Sequence, residues 1–206
     1  LNDGTASTWR KAAPNRVWNP IGTWKQQFAG VFDGKGHTIS GIYLKTASNY
    51  AGLFGVTALG SEIRNVRIVN SYFDVSGNKD QRYAGAVAGI AKGAVDTIYS
   101  DIIIKADGRD IGGIVGYLNY TGEQGFSKPR VDNCWFDGQL FGDTGRRMGG
   151  ITGAIYGNEK NTPTYIFQNC LNSATISNTR VDSKDGLGGQ YIGGILGQEA
   201  NPTNII

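Results

Sequence analysis

Five short runs recur along the chain and limit what it can fold into: Tyr50-Ala-Gly-Leu-Phe-Gly55, Tyr83-Ala-Gly-Ala-Val-Ala88, Ile111-Gly-Gly-Ile-Val-Gly116, Met148-Gly-Gly-Ile-Thr-Gly153 and Ile192-Gly-Gly-Ile-Leu-Gly197. They start 33, 28, 37 and 44 residues apart. A second run alternates with them: Ile63-Arg-Asn-Val66, Val95-Asp-Thr-Ile98, Val131-Asp-Asn-Cys134 and Phe167-Gln-Asn-Cys170, spaced 32, 36 and 36 residues. Two signals in constant order define one structural unit. A unit of this length cannot close a core alone and buries its apolar face by stacking on its neighbours. The chain is therefore a solenoid.

Counted from Val66, Ile98, Cys134 and Cys170, even offsets carry apolar or small residues. Four residues on stand Asn70, Ile102, Gly138 and Ala174, and six on stand Tyr72, Ile104, Leu140 and Ile176. That alternation marks a strand with one face turned inward. Offset two (Ile68, Ser100, Phe136, Asn172) is less regular and predicts a bend or partial exposure there. In the glycine runs, position four is always aliphatic (Leu53, Ala86, Ile114, Ile151, Ile195) and position one is also apolar (Tyr50, Tyr83, Ile111, Met148, Ile192). Residues three apart on a straight strand face opposite ways. The small pair between them predicts a bulged corner that turns both inward, with Gly52, Gly85, Gly113, Gly150 and Gly194 as structural glycines.

No stretch sustains a helical period. A strand, a variable loop, a glycine-cornered strand and a return loop complete one turn. The predicted fold is all-β: a right-handed parallel β-helix of five or six turns, about 25 to 30 Å long at ~4.8 Å per turn. Propeller blades would need regular antiparallel hairpins in repeats of about 40 residues.

The first 45 residues differ from the rest and hold Trp9, Trp18 and Trp24. A solenoid's first turn must shield an apolar end, so 1–45 is predicted as an atypical capping turn and 46–206 as the repeats of a single domain, 1–206. At least two of those tryptophans are expected to cap the rod or pack its first turn. Val31-Phe-Asp-Gly-Lys-Gly36 predicts a tight turn. The chain begins at Leu1 and stops at Asn204-Ile-Ile206, where another strand would start, so a piece of a larger protein is expected. The lack of a signal peptide is no argument against secretion.

Glycine supplies 32 of 206 residues without a period of three, which excludes collagen. The formal charge of +3 comes from 20 basic and 17 acidic residues mixed along the chain. No basic stripe dense enough to follow a phosphate backbone exists, so nucleic acid is not an expected partner. No segment approaches ~18 apolar residues, and direct membrane insertion is not expected.

Taken together, Trp18-Asn-Pro-Ile-Gly22, Phe32-Asp-Gly-Lys-Gly-His-Thr-Ile-Ser-Gly41 and Tyr50-Ala-Gly-Leu-Phe-Gly55, followed by the later glycine runs, resemble the GLUG-motif repeat proteins over roughly 18 to 197. That resemblance implies a bacterial secreted or cell-surface protein of adhesin-like type. It implies no catalytic residue, because the motif is structural. The second repeat departs from it, with Ala88 at the usual glycine position and Gly89 following.

Chemistry is sparse. The single histidine, His37, sits inside the turn–strand motif, and neither zinc ligation nor a serine triad has the residues it needs. No metal or cofactor is expected. Cys134 and Cys170 hold equivalent positions in neighbouring turns, where parallel side chains favour two free thiols over a disulfide. Asp101 and Asp137, with Arg109 and Arg130 near in sequence, are the best candidates for a polysaccharide lyase or hydrolase, because parallel β-helices can line acids along one face. Asp96 and Asp132 align one residue into the strand, where other repeats carry Arg64 and Gln168.

Binding has more support. Loops of variable length carry Tyr117, Tyr120, Tyr156 and Tyr165 among amides and charges, and such rings can stack on a sugar or a protein partner. The expected function is non-catalytic adhesion or ligand binding at a cell surface, toward a glycan or a surface protein. A passive stalk is the bland rival.

Overall fold

The computed structural model describes residues 2–46, 48–76, 82–119, 129–142, 147–156, 164–178, 191–200 and 204–205, with the side chains of 164–166, 200, 204 and 205 outside that description. Every strand pairing among them is parallel. The strands stack into four sheets that the chain visits in constant order. The first sheet holds Val31–Asp33 with Thr38–Ser40, then Glu62–Val69, Ala94–Ser100, Arg130–Phe136, Thr164–Gln168 with Leu171–Asn172, and Asn204–Ile205. The second holds Tyr43–Lys45, Tyr72–Val75, Ile103–Ala106, Gln139–Gly142 and Thr175–Asn178. The third holds Tyr50–Ala51, Tyr83–Ala84, Asp110–Gly112, Arg147–Gly149 and Tyr191–Gly193, and the fourth Phe54–Val56, Ala88–Ala91, Val115–Asn119, Thr152–Tyr156 and Leu196–Ala200. This is a parallel β-helix of five coils with the first strand of a sixth.

Each coil has four strands where the sequence predicts two, because both predicted strands bend. The first bends at a corner after Ile68, Ser100 and Phe136, not at them: all three are fully buried. The cost of that burial falls on Ser100, whose hydroxyl has no partner among the described residues. The glycine run folds over its small residues to divide the third sheet from the fourth.

The second recurring run has a cause that alternation alone does not reveal. Asn65, Thr97, Asn133 and Asn169 all take left-handed backbone angles, φ 51 to 54°. Each is skipped by the ladder: Arg64 pairs with Asp96 and Val66 with Ile98, leaving Asn65 and Thr97 unpaired between them. The bulge flips the strand by one residue, so Ile63 and Val66, three apart, are both buried (1% and 2% exposed). Asparagine recurs there because it tolerates this conformation better than other side-chain-bearing residues.

Register also corrects two expectations. Gly41 and Asn70, both at positive φ, add one residue to the first two corners. Phe73, not Tyr72, therefore stands opposite Ile104, and Tyr72 turns outward onto Trp9 and Tyr43. In the glycine runs, Tyr83 pairs with Tyr50 and Asp110, while Ala84 pairs with Ile111. Tyr50 and Tyr83 thus face outward and Ala51 and Ala84 fill the core.

The same shift accounts for Ala88. It pairs with Phe54 and Val115, which leaves Gly89 between Gly55 and Gly116. Gly55, Gly89, Gly116, Gly153 and Gly197 form one column, and a Cβ at Gly116 would lie 2.7 Å from the Gly89 carbonyl and 2.6 Å from the Ala84 amide. Of the corner glycines chosen from sequence, Gly52 and Gly85 would press a Cβ against Gly85 O (2.8 Å) and Ile114 O (2.5 Å). Gly113 would strike the Phe136 ring and Gly150 the Asn172 amide, while Gly194 has no heavy atom within 4 Å.

Leu53, Ala86, Ile114 and Ile151 form a buried internal series, as do Val66, Ile98 and Cys134. In the fifth coil Cys170 is partly buried and Ile195 is 37% exposed. At the other end, Ile21 and Phe28 bridge to Phe54 and Thr57, and the Trp18 indole donates to the Leu53 carbonyl at 3.2 Å. Phe28 and Phe32 both pack on the Phe54 ring, at 4.7 and 5.5 Å. The short helix Ala6–Trp9 lies instead against the outside of the second sheet, its Trp9 edge-on to Tyr43 at 6.3 Å. The first coil proper begins at Val31, inside the segment read as a cap.

Candidate functional site

The residue that follows each internal Val66, Ile98 or Cys134 points out of the first sheet. Register stacks these residues into one column: Thr38, Arg67, Tyr99, Trp135 and Leu171. The Arg67 guanidinium lies over the Tyr99 ring at 4.4 Å, and Tyr99 meets Trp135 edge-on at 5.0 Å. Trp135 is 42% exposed, so a large part of its indole is open to solvent. Its orientation is fixed from below: the indole N–H donates to Ser173 Oγ at 2.8 Å, and Ser173 donates to Asp137 Oδ1 at 2.6 Å.

Beside this column runs the bulge column. Its left-handed residues turn Asn65, Thr97 and Asn133 onto the same surface, where they line an open groove of about 530 Å³ with Asp33, Lys35, Arg67, Tyr99 and Trp135. These side chains are held by one another. Asp33 Oδ1 accepts from the Lys35 amide (2.9 Å) and from Asn65 (3.1 Å), and these bonds draw its carboxyl below the usual range. Asp96 Oδ1 accepts from Thr97 (2.9 Å) and Asn133 (3.0 Å), and Asn169 donates to Asn133 (3.0 Å). Rings, amides, hydroxyls and carboxylates converge here in fixed positions, the set that recognises a polyhydroxylated ligand.

The tyrosines singled out from sequence lie elsewhere. Tyr117 and Tyr156, in the fourth sheet, come together edge-on at 5.3 Å and are half-buried. Tyr120 lies outside the described residues. Tyr165 has only its backbone described, in the first sheet and not beside the other two. Tyr117 continues a stack that runs through Tyr83 (5.6 Å), Tyr50 (5.8 Å from Tyr83) and Trp24 (6.0 Å from Tyr50). Arg147 lies over Tyr156 at 4.7 Å and pairs with the buried Asp110 at 2.7 Å.

The acids considered for catalysis, Asp101 and Asp137, follow the paired Ser100 and Phe136 in adjacent coils, and each already accepts a hydrogen bond. Asp101 accepts from the Asn70 amide at 2.9 Å and Asp137 from Ser173, so both brace corners of the first sheet. Arg130 pairs with Asp96 (3.2 Å) and Glu62 (3.5 Å), while Arg109 reaches Tyr156. Asp96 and Asp132 are in register, as their spacing implies. Among the described residues, no three of His, Cys, Asp and Glu gather as metal ligands. Cys134 and Cys170 are free thiols in adjacent coils. Burial pushes the Cys134 thiol well up, and the hydrogen bond with Cys134 holds Cys170 down.

Sequence reasoning missed Arg67, Tyr99 and Trp135. The signal was present, since one residue beyond an inward position must face outward, and three successive repeats place a large side chain there.

No family model and no solved structure matches the chain. Two partial relatives do. A protein of Evansella cellulosilytica named "Putative Gly-rich membrane protein" is 34% identical over 86 residues, 41% of this chain and 10% of the relative. Halomucin of Haloquadratum walsbyi is 31% identical over 98 residues, 47% of this chain and 1% of the relative. The chain thus spans a tenth or less of the length of the curated relatives it matches.

Proposed function

We propose that this chain is a non-catalytic β-solenoid module of a larger surface-displayed protein, of the GLUG-repeat type, and that it binds carbohydrate. The observation that carries this reading is the outward column of Arg67, Tyr99 and the exposed Trp135, set beside a bulge column of amides and hydroxyls over one open groove. A sugar ring stacks on an indole face while neighbouring amides and carboxylates take its hydroxyls. The groove sits on a rigid sheet whose side chains are already bonded in place, which lowers the ordering cost of binding.

Display at a surface is supported by the names of the two relatives, a membrane protein and a mucin-like name, over the parts they share with this chain. The test is a glycan array probed with the 206-residue chain and with Trp135→Ala. Selective binding lost in the variant is expected. Binding to no glycan would favour a passive stalk. Cleavage of a bound glycan, abolished at Asp137, would favour the polysaccharide-degrading alternative.

A further inference from the structure

Resting on that reading, we infer that the ligand of the first-sheet groove is an acidic polysaccharide. Lys35 and Arg67 hold its carboxylate or sulfate oxygens at one end, and a sugar ring stacks on Trp135 at the other. All three side chains line the groove. Lys35 belongs to the first coil, Arg67 to the second and Trp135 to the fourth, with Tyr99 between them in the third. The groove thus runs along the stack, with cations toward one end and rings toward the other.

Lys35 owes its place to a local surplus of chain. Register pairs Asp33 with Arg64 and Thr38 with Arg67. Between those pairs the first coil has four residues, 34–37, where the second has only Asn65 and Val66. The next two coils keep the shorter spacing. The surplus turns outward: Lys35 and Gly36 take left-handed angles (φ 50° and 76°), and the His37 amide closes the turn on the Gly34 carbonyl at 2.8 Å. This turn forms the first-coil end of the groove and carries Lys35 there.

Three charged side chains line the groove: Asp33, Lys35 and Arg67. Asp33 is already satisfied, its Oδ1 by the Lys35 amide and Asn65 and its Oδ2 by the Arg64 guanidinium at 3.2 Å. Lys35 and Arg67 are exposed, and neither pairs with a carboxylate among the described residues. Arg67 lies over Tyr99, a contact that leaves its N–H fork for a pair of oxyanion oxygens. Partial burial raises the Tyr99 hydroxyl, and Asp101 and Asp137 add to that rise, so the unlined acids stand on the third- and fourth-coil side. An anion is therefore favoured at the Lys35–Arg67 end. A ligand of hydroxyls alone would cover both cations without a counter-charge, whereas an oxyanion gains as water leaves. Two cations are too few to track a phosphate backbone.

The experiment is calorimetric titration of the 206-residue chain with matched pairs of oligosaccharides. Oligogalacturonate, oligomannuronate and oligoglucuronate are each set beside their neutral methyl esters, and sulfated galactan oligomers beside their desulfated forms. The two sets separate carboxylate from sulfate recognition. One acidic series is expected to bind about tenfold more tightly than its neutral counterpart, with the gap narrowing as salt rises. Lys35→Gln and Arg67→Gln are each expected to weaken that series by about fivefold and to leave the neutral counterpart within about twofold. Trp135→Ala is expected to weaken both by about thirtyfold, as for an aromatic anchor.

Acid and ester binding equally tightly, with both lost in Trp135→Ala, would overturn this inference and leave carbohydrate binding at the groove intact. An acidic preference that survives both charge variants would do the same. Binding unaffected by Trp135→Ala, or absent from every probe, would overturn both this inference and the function it rests on. A single-stranded oligonucleotide serves as the control polyanion, and binding as tight as that of the best acidic glycan would also overturn both. Trp135→Phe, which keeps a ring, guards against misfolding: recovery of most affinity with that variant is expected.

Discussion

Two columns of aromatic side chains climb the outside of the same rod, and they use their rings in opposite ways. In the column of Trp24, Tyr50, Tyr83 and Tyr117 the rings lie nearly parallel, 15 to 27° apart, so each face is covered by its neighbour. Lys92 lies over Trp24 at one end, and at the other Tyr117 meets Tyr156 edge-on, with Arg147 over the Tyr156 ring. In the first-sheet column Tyr99 and Trp135 meet at 76°, and the indole stays 42% exposed. Parallel stacking consumes the ring faces and stabilises the coil stack. Edge-on packing leaves a face for something else. A tyrosine in a loop-rich region of the sequence is thus no guide to binding until its ring faces are accounted for.

The first way to break this comparison is at the ion pair beneath the tyrosine column. Arg147→Met removes the ion-pair partner 2.7 Å from the buried Asp110 carboxylate and should cost about 3 to 5 kcal/mol in urea unfolding. Arg64→Met, at a pair whose arginine is 39% exposed, should cost far less. Equal losses would erase the distinction between a structural flank and an exposed one.

Next comes the contrast between rings. Tyr83→Ala opens the parallel stack between Tyr50 and Tyr117 and should lower stability by about 2 kcal/mol. Trp135→Ala should leave the unfolding midpoint almost unchanged and remove glycan binding. A Trp135→Ala protein as unstable as Tyr83→Ala would assign the first-sheet column to the fold.

Thr97 offers a smaller effect of opposite sign. It is the one β-branched residue in the left-handed column that Asn65, Asn133 and Asn169 also occupy. Thr97→Asn should raise stability by about 1 kcal/mol, and a measured loss would contradict the strain assigned to it.

The smallest effect is alkaline. Burial on the outside of the second sheet, helped by Asp74, pushes the Tyr72 hydroxyl from an ordinary 10.0 to about 12. The neutral form is favoured in the folded state. Its contribution is therefore present below about pH 10 and lost as pH rises toward 12. Tyr72→Phe should flatten that part of the pH profile, and an unchanged profile would place the alkaline loss elsewhere.

The solenoid was legible because its two runs keep one phase across four or five repeats, and inward positions obey a single steric rule. What escaped was single-residue register. The left-handed bulge at Asn65 and its mates is invisible to alternation, because it changes the period for one residue only. One extra corner residue, Gly41 or Asn70, reversed the facing of Tyr72, and a one-residue difference in the second glycine run did the same to Tyr83. The candidate site was less legible. Trp135 and Tyr99 are scattered in sequence and become neighbours only when coils stack, whereas the loop tyrosines drew notice for their setting. Cysteine stacking and the Asp96–Asp132 alignment were readable because they follow directly from repeat spacing.

The most direct measurement is the indole N–H spectrum of the chain, which has four tryptophans, during titration with the glycan selected on the array. Trp135 lies at the groove, Trp24 at the foot of the tyrosine column, and Trp9 and Trp18 pack against the fold. The expected result is a saturable shift at Trp135, with the signals of Trp9, Trp18 and Trp24 unmoved. A shift at Trp24 with Trp135 unmoved would place binding on the tyrosine column and contradict the division of labour between the two.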